Sequence, residues 1–411
     1  LKIGTVNNET TSARGSVDDE KDSVENYTAN INYEKYIKPS LRFYNTTYIR
    51  QTIAEYDGSA TNQTGYEGDN KMGSLHLGLE KNNQKQKQRS IIYYTIYDRE
   101  YDERGTIDTY ESEVLGIKYD FSKTLYDFLS FGLGSEYKYD WGSFDNKGSY
   151  SASTKGSVDN LAIYSNLGLN ILDNTNLSIF LRNDDHKQSG DNSTYKVSLN
   201  QKIKKLEFGL SRMTGLRNPT LYELYGTDSY GYSGNRNLKA EKSISNEVYI
   251  NYFVNNKLSF SSSIFRSNIN NNIEYVSNKY VNDNDNVDLN QSGLNGNILY
   301  NNKDTKINFF TSFLSSKKEN SADQLRRPEK TYGIDLNQKI KIDFLGDFNL
   351  SANYKHYGKH FDTHSSNFST IEMDSTDIID LSISKKINNY VLSLNIDNLL
   401  NEIYQRPHGY P

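Results

Sequence analysis

The sequence predicts an all-β protein, a large antiparallel transmembrane β-barrel with about 18–20 strands. Three observations indicate this fold. Hydrophobic residues make up only 35% of the chain, yet it contains 34 Tyr and 17 Phe, whereas disordered chains are poor in aromatic residues. Segments in which apolar and polar residues alternate recur about every 20 residues. Short links between these segments alternate with long polar ones, as in a membrane barrel with short turns on one rim.

Each strand is predicted from this two-residue alternation and from the turn residues that bound it. In the last strand, the apolar residues Tyr390, Leu392, Leu394 and Ile396 share one face. The predicted strands are 26–36, 41–56, 71–81, 90–101, 109–120, 127–141, 160–172, 175–185, 192–201, 205–214, 243–254, 257–269, 287–301, 305–316, 330–341, 346–358, 376–386 and 389–398. Long polar loops are predicted at 57–70, 142–159, 217–240, 317–329 and 359–372.

Lipid offers no water to an unpaired strand edge, so strands that cross a membrane must pair all round a barrel. A soluble antiparallel sandwich has the same two-residue period, but the number of strands and their aromatic ends favour the barrel. No run of about 18 apolar residues predicts a membrane-spanning helix. The chain has no cysteine and a net charge of −5 with interspersed signs. These features exclude a thiol nucleophile and indicate no nucleic-acid partner.

No set of nucleophile, base and orienting residue is apparent, so we expect no enzyme activity. Asp184 and Asp185 are adjacent and alternate across a strand, which prevents them from acting together. His356, His360 and His364 recur every four residues, but Gly358 and the strand context break a common helical face. We therefore expect loop histidines there rather than a metal or haem site.

Residues 211–242 leave the alternating pattern for about 30 residues, and loops of this length are usually functional. Pro219 fixes a turn in the first part of the segment, and glycine and asparagine form a second turn before a charged strand entry. The first block contains Arg217, Pro219, Leu221, Glu223, Leu224, Tyr225 and Gly226. The second contains Gly234, Asn235, Asn237, Leu238 and Glu241. A further motif, with Asn398, Leu399 and Tyr404, lies near the end of the chain.

These blocks, in this order, resemble the barrel signature of TonB-dependent outer-membrane receptors, and the resemblance covers nearly the whole chain. It implies an active transporter in the outer membrane of a Gram-negative bacterium, surrounded by outer-membrane lipid. The family has an N-terminal plug followed by a 22-stranded barrel, so we expect residues 1–411 to be a barrel fragment without its plug or last strand. Such a fragment would expose two open sheet edges.

Within the family, the spacing and residue pattern of the strands are most similar to those of cobalamin receptors, followed by siderophore and haem receptors. The resemblance implies uptake of a scarce, large nutrient, energised by a TonB-type partner that acts through the plug. It identifies no ligand-binding residue, because binding loops vary most in sequence. Two alternatives remain open: a passive porin-type channel, and a secreted soluble β-sandwich that binds glycans through tyrosines.

Cobalamin receptors also have aspartate-bearing loops that bind calcium. The matching region here contains Asp57, Glu67 and Asp69, so the resemblance implies a calcium site in an extracellular loop. The run from Asp283 to Asp288 also supplies oxygen ligands. Because it lacks the glycine and terminal glutamate of an EF-hand loop, a solvated turn is favoured there.

Overall fold

The computed structural model describes residues 2–11, 21–56, 65–282, 288–318, 323–364, 367, 369–405 and 408. Nineteen strands form one antiparallel sheet in which almost every strand pairs with the next along the chain. They are β1 (Lys2–Thr11), β2 (Lys21–Lys38), β3 (Leu41–Glu55), β4 (Tyr66–Asn82), β5 (Gln86–Glu103), β6 (Thr106–Tyr126), β7 (Leu129–Asn146), β8 (Ala152–Leu172), β9 (Thr175–His186), β10 (Gly190–Ile203), β11 (Leu206–Arg217), β12 (Glu241–Phe253), β13 (Leu258–Asn270), β16 (Leu289–Asn301), β17 (Thr305–Lys318), β18 (Lys330–Ile342), β19 (Gly346–Tyr357), β22 (Thr376–Ile387) and β23 (Tyr390–Ile396).

Two small hairpins and one helix lie outside this sheet. They are β14 (Ile273–Val276) with β15 (Lys279–Asn282), β20 (His360–Thr363) with β21 (Thr370–Met373), and α1 (Leu221–Tyr225). The hairpins join β13 to β16 and β19 to β22, and α1 lies between β11 and β12. All three therefore interrupt long links between wall strands.

The all-β, large antiparallel barrel-type sheet that the sequence predicts is confirmed, and its 19 strands fall within the expected number. In the described residues, β1 pairs only with β2 and β23 only with β22. The sheet therefore has two unpaired edges in that part of the chain. Within the described ranges, no helix is long and apolar enough to cross a membrane.

The alternation divides the wall into two faces, which β6 illustrates. Leu115, Ile117 and Tyr119 are exposed on one face, at 40%, 52% and 42%. Lys118 and Asp120 lie on the other face, where Asp120 accepts hydrogen bonds from Arg89 Nη2 at 2.8 Å and Tyr164 Oη at 2.5 Å. An apolar outer face and a hydrogen-bonded polar inner face are the pattern of a membrane barrel.

Tyrosines on the inner face cover glycines of neighbouring strands. A Cβ added at Gly116 would lie 2.0 Å from Cζ of Tyr93, and one added at Gly78 would lie 2.0 Å from Cζ of Tyr44. The rings thus occupy the space that the missing side chains leave, which packs a wall that has no second sheet behind it.

Strand length divides the sheet into a tall side and a short side. On the tall side β6 and β8 each have 21 residues. On the short side β9 and β19 each have 12. The extra residues of β8 lie towards the rim with the long links, because residues 152–159 precede Asn160, the first residue of β8 that pairs with β9. The tall strands therefore form a raised wall above the apolar belt.

Several expected loops are wrong in extent. The loop predicted at 142–159 is mostly strand, because β7 continues to Asn146 and β8 begins at Ala152. The loop predicted at 57–70 ends earlier, because β4 begins at Tyr66. Above the apolar belt, both faces of a strand contact water. The additional strand residues therefore need no apolar face, and their sequence lacks the alternation that predicts a strand. The two hairpins and α1 were not predicted.

Candidate ligand cavity and the motif loop above it

The loop between β11 and β12 is built around the short helix α1. Thr220 caps it: its Oγ1 accepts a hydrogen bond from the Glu223 backbone N at 3.2 Å, and its own backbone N donates to Glu223 Oε2 at 2.7 Å. This reciprocal capping box satisfies two of the N–H groups that a helix start leaves free. Pro219 is buried just before the cap and fixes the approach of the chain.

Arg217 joins the two predicted motif blocks. Its Nε and Nη2 donate to the two carboxylate oxygens of Glu241 at 2.7 and 2.9 Å, and its Nη1 lies 3.1 Å from both oxygens of Glu223. The bond to Glu241 and the charge of Glu223 raise the pKa of the Arg217 guanidinium above its ordinary value. Glu241 Oε1 also accepts from the Ile273 backbone N at 2.7 Å. One arginine therefore fixes α1, the start of β12 and the β14–β15 hairpin together.

The glycines of the motif allow close backbone contact. A Cβ added at Gly234 would lie 2.5 Å from the backbone C and O of Leu224 and from the N of Tyr225. Its backbone N donates to Gly226 O at 2.8 Å, and the next residue, Asn235, donates from its backbone N to Glu223 O at 2.8 Å. The second block thus folds directly onto the end of α1, where only glycine fits.

An apolar cluster lies under this network. It consists of Val158 from the tall wall, Leu224 from α1, Leu238 from the second block and Ile273 from the β14–β15 hairpin. Leu224 and Leu238 are 1% and 2% exposed. Burial of these side chains removes apolar area from water and attaches the loop to the wall.

Tyrosines extend the cluster. The rings of Tyr222 and Tyr232 stack at 4.8 Å between centroids, and Tyr222 also packs edge-on against Tyr110 and Phe144 of the wall. Burial raises the pKa of Tyr110, Tyr222 and Tyr232, so these hydroxyls stay neutral.

The other motif residues also have defined positions. Asn235 Nδ2 donates to Tyr280 O at 2.9 Å, Asn237 N donates to Asn235 Oδ1 at 3.0 Å, and the Tyr225 ring lies 5.0 Å from Arg236 Cζ.

The motif near the end of the chain forms a turn after β23. Asn398 has φ 51° and donates from its backbone N to Asp380 Oδ1 at 2.9 Å. Its side chain bridges to the backbone of Glu402, and the Leu399 N donates to Ile379 O at 2.7 Å. Tyr404 is partly buried. The strands that carry these contacts, β22 and β23, are separated from β11 and β12 by several strands of the sheet.

A cavity of about 1300 Å³ lies between this loop and the inner face of the tall wall. Its size is somewhat above the range usual for small-molecule sites. Most of its wall comes from the rim ends of β5 to β9, and the segment from Leu216 to Tyr222 forms the opposite side. The acidic residues that line it are Glu103, Asp108, Glu111, Glu136, Asp140, Asp184 and Asp228. The tyrosines are Tyr97, Tyr101, Tyr110, Tyr222 and Tyr230.

Two of the cavity's cations are bound to neighbouring carboxylates. Arg182 Nε lies 2.8 Å from Asp184 Oδ2 and its Nη2 lies 3.6 Å from Glu136 Oε2, while Lys138 Nζ lies 2.7 Å from Asp140 Oδ2. These pairs lie side by side on β7 and β9 and leave little basic charge facing the cavity.

Carboxylates nearer the loop have neutral donors instead. Asp108 accepts from Ser229 Oγ at 2.7 and 2.9 Å, and Glu103 accepts from Tyr230 Oη at 2.6 Å. This bond to Glu103 raises the pKa of Tyr230 to about 12. Asp228 accepts from the backbone N of Tyr230 and of Tyr232 at 2.8 and 2.9 Å. Hydrogen bonds between side chains 121 and 127 residues apart thus hold the loop to the tall wall.

Arg217, Pro219 and Leu221 of the predicted motif line the cavity, but none of its acidic residues and tyrosines was among the predicted site residues. Most of the latter occupy every second position near the rim ends of the strands, where polar side chains of the inner face cluster. That periodic signal exists in the sequence. Their convergence with residues 218–230 depends on long-range pairing, which no local pattern reveals.

The residues proposed for calcium are placed differently from expectation. Asp57 lies outside the described residues, and Glu67 and Asp69 belong to β4 rather than to a loop. Asp69 lies 2.9 Å from Lys71 Nζ and 3.0 Å from Gln51 Nε2. Among the described residues, no group of three or more His, Asp or Glu side chains could hold a metal ion. Calcium in the loops stays a prediction.

The two other polar clusters from the sequence are also resolved in part. Asp288 accepts from Asn268 and Asn270 at 2.9 and 2.6 Å, while residues 283–287 lie outside the described ranges. His356 lies in β19 and bonds to Asp377 of β22 at 2.9 Å, and His360 is buried in β20. The expectation of loop histidines is therefore wrong for these two residues, whose backbones belong to two strands separated at Gly358.

A family model described as TonB dependent receptor-like, beta-barrel, matches residues 3–399. A search of curated protein sequences found no match. Among solved structures, the siderophore receptor PirA from Acinetobacter baumannii aligns with a TM-score of 0.78 and 14% identity, covering 95% of this chain and 68% of that one.

Two further structures are similar. The ferric-catecholate import receptor Fiu from K12 E. coli has a TM-score of 0.77 and 12% identity, over 98% of this chain and 73% of that one. The copper transporter OprC has a TM-score of 0.80 and 14% identity, over 99% and 70%. At these identities the structural likeness establishes the fold, and the family match establishes the lineage. The chain belongs to the TonB-dependent receptor-like β-barrel family.

Proposed function

We propose that the protein is the barrel of an outer-membrane active transporter that takes up a scarce, large nutrient in a Gram-negative bacterium. The main support is the cavity of about 1300 Å³ at the rim with the long links, built jointly by the tall wall and the motif loop. Such a pocket binds a ligand at the mouth of a barrel, where polar groups fix its orientation.

In this proposal the apolar outer face contacts outer-membrane lipid, and energy arrives from a TonB-type partner through a plug. Barrel residues bind and orient the nutrient and carry out no covalent chemistry. The structural neighbours include proteins named as siderophore receptors and as a copper transporter. Ferric siderophores, cobalamin and haem are the candidate nutrients to compare.

The test is uptake by cells that express the full-length receptor in a strain lacking its own receptors. Labelled cobalamin, ferric siderophores and haem are supplied separately, with and without calcium. We expect uptake of one class that stops when the TonB-type partner is deleted or the proton gradient is collapsed. A dependence on calcium would support the loop site implied by Asp57, Glu67 and Asp69.

Deletion of α1 and its flanking turns provides a structural control, because it opens the cavity while leaving the wall strands in place. Energy-independent flux of small solutes through the intact receptor would overturn the proposal and indicate a passive channel. Solubility of the folded protein without detergent would also overturn it.

A further inference from the structure

We infer that the cavity takes a ligand of net positive charge with exposed hydrogen-bond donors, such as a cationic metal complex, and disfavours polyanions. The inference rests on the proposed role of the cavity as the nutrient site and narrows the chemical class of that nutrient. It follows from the balance of charge in the wall, the hydrogen-bond acceptors left without donors, and the aromatic lining.

The wall of the cavity is acidic. Six carboxylate side chains line it against four Lys and Arg side chains, while the carboxylate of Glu111 lies on the outer face of β6 and bonds to Ser143. Three of those four cations already have carboxylate partners within 2.8 Å: Arg182 with Asp184, Lys138 with Asp140, and Arg217 with Glu241. Arg217 pairs with both Glu223 and Glu241, so it contributes little positive potential to the cavity itself.

Three of the carboxylates have no Lys or Arg ion pair in the described part of the chain. These are Glu103, Asp108 and Asp228, and their donors are hydroxyl and backbone N–H groups. Arg99 is the one lining cation without a carboxylate partner among the described residues. Like charges facing one low-dielectric concavity sum to a potential that attracts cations.

Unsatisfied acceptors give independent support. Asn160 is 7% exposed and lines the cavity, and its Oδ1 has no hydrogen-bond partner among the described residues. Its Nδ2 donates to Asp184 Oδ1 at 2.8 Å. Because an ionised carboxylate only accepts, this bond fixes the orientation of the amide. The free group is therefore an acceptor.

Two other lining residues share this feature. Oδ1 of Asn218 and Oδ1 of Asp140 are also buried without a partner in the described residues. Buried polar atoms without partners are rare and destabilising. A ligand that supplies N–H or O–H donors relieves this deficit, whereas an anion covered with acceptor oxygens adds to it.

The aromatic lining also suits a cation. Tyr101, Tyr110, Tyr222 and Tyr230 contribute rings to the cavity. The face of an aromatic ring attracts positive charge, and the attraction grows when water is excluded. A polyanion would instead require several free guanidinium groups, which the described wall lacks apart from Arg99.

Two octahedral complexes of equal and opposite charge test the inference. Purified full-length receptor in neutral detergent is titrated by calorimetry with hexaamminecobalt(III), which carries N–H donors, and with hexacyanoferrate(III), which carries only acceptors. At low ionic strength we expect the cation to bind at least about tenfold more tightly, and its affinity to fall as salt is added.

The combined variant Glu103→Gln, Asp108→Asn and Asp228→Asn keeps the size of each side chain and removes three charges. We expect it to lose at least about tenfold in affinity for the cobalt complex. The matched control is Asp173→Asn, Asp304→Asn and Asp343→Asn, three exposed residues in the turns of the opposite rim. It changes net charge equally and should retain the affinity of the wild type.

Equal or tighter binding of hexacyanoferrate would overturn the inference, as would unchanged cation affinity in the cavity variant. An equal loss in both triple variants would reduce the effect to net charge and also overturn it. These titrations need no energy source, so they remain informative if uptake fails. Energy-dependent uptake of a polyanion without cation preference would leave the transport proposal standing and refute this one.

Discussion

The wall strands and the motif loop are built by different rules. In β6, the requirement is one of face: outer residues are apolar and inner residues are polar. In the loop from residue 218 to 240, individual contacts matter, because Arg217 anchors the loop through two glutamates and Gly234 packs against the peptide group between Leu224 and Tyr225. The difference shows that alternation of apolar and polar residues determines the structure of the wall, whereas individual residues determine the structure of the loop at the mouth.

The largest effect is expected at Gly234. Gly234→Val places a side chain 2.5 Å from three backbone atoms of Leu224 and Tyr225, so the loop must unfold from the wall. We expect a loss of at least about 4 kcal/mol in the free energy of unfolding of this region. Hydrogen exchange of α1 measures it. Gly73→Val is the control, because a Cβ at Gly73 meets nothing within 4 Å. Comparable losses of stability in Gly234→Val and Gly73→Val would contradict the idea that the loop depends on close contacts that the wall does not need.

The rule for the wall is tested on one strand and one face. Ile117→Arg places a charge on the outer face of β6, where Ile117 is 52% exposed. We expect a cost of about 2–4 kcal/mol if this position lies near the middle of the bilayer. Thr109→Arg lies on the same face nearer the rim and should change stability by less than about 0.5 kcal/mol. Unfolding in lipid vesicles with urea compares them, and equal costs would mean that the apolar belt does not end between these positions.

Within the loop, the Arg217 network should matter less than backbone packing. Glu241→Ala removes the bidentate partner and the acceptor for the Ile273 N. Because the Arg217 side chain is 41% exposed, water screens the loss, and we expect about 1–2 kcal/mol. Thermal unfolding followed by near-UV circular dichroism measures it. Glu34→Ala breaks the exposed pair with Arg42 and should leave the midpoint unchanged. A larger shift for Glu34 would contradict the argument.

The smallest effect concerns the β20–β21 hairpin, which joins β19 to β22. Burial opposes ionisation of Asp362, but bonds from Arg326 and from two backbone N–H groups outweigh it and hold the pKa of Asp362 below its usual value. The ionised form therefore stabilises the hairpin at neutral pH, and this contribution is lost as the pH falls through the folded-state pKa.

We expect a loss of about 1 kcal/mol in local stability of this hairpin on acidification from about pH 6 to pH 3. Hydrogen exchange of β20 and β21, corrected for the intrinsic rate, measures it. Asp362→Asn should remove the pH dependence. Asp374→Asn, whose side chain is 96% exposed, should leave it intact. Persistence of the full dependence in Asp362→Asn would exclude this carboxylate as its source.

Much of the wall could be predicted because its physical requirement is periodic. The strand predicted at 175–185 is β9, Thr175–His186, and the one at 305–316 is β17, Thr305–Lys318. The ends near 142–159 could not be predicted, because a strand with water on both faces needs no apolar side. α1 has five residues, too few for a helical period, although Thr220 and Glu223 already have the spacing of a capping box.

The candidate cavity was less accessible to sequence reasoning. The motif residues from Arg217 to Glu241 were identified by resemblance, and the structure shows how they bond to one another. The acidic lining depends on contacts such as that between Asp108 and Ser229, which are 121 residues apart. No local pattern encodes such a contact, because it follows from the order and register of the whole sheet.

The unequal strand lengths have a consequence for access from outside. At about 3.3 Å per residue, the nine additional residues of β6 relative to β9 add roughly 30 Å of strand. In an outer-membrane setting, the height of the wall above the membrane then varies around the rim of the barrel. We expect such a rim to hinder bulky macromolecules along the tall strands and to admit compact solutes over the short ones. Size would then select among solutes before any chemical recognition begins.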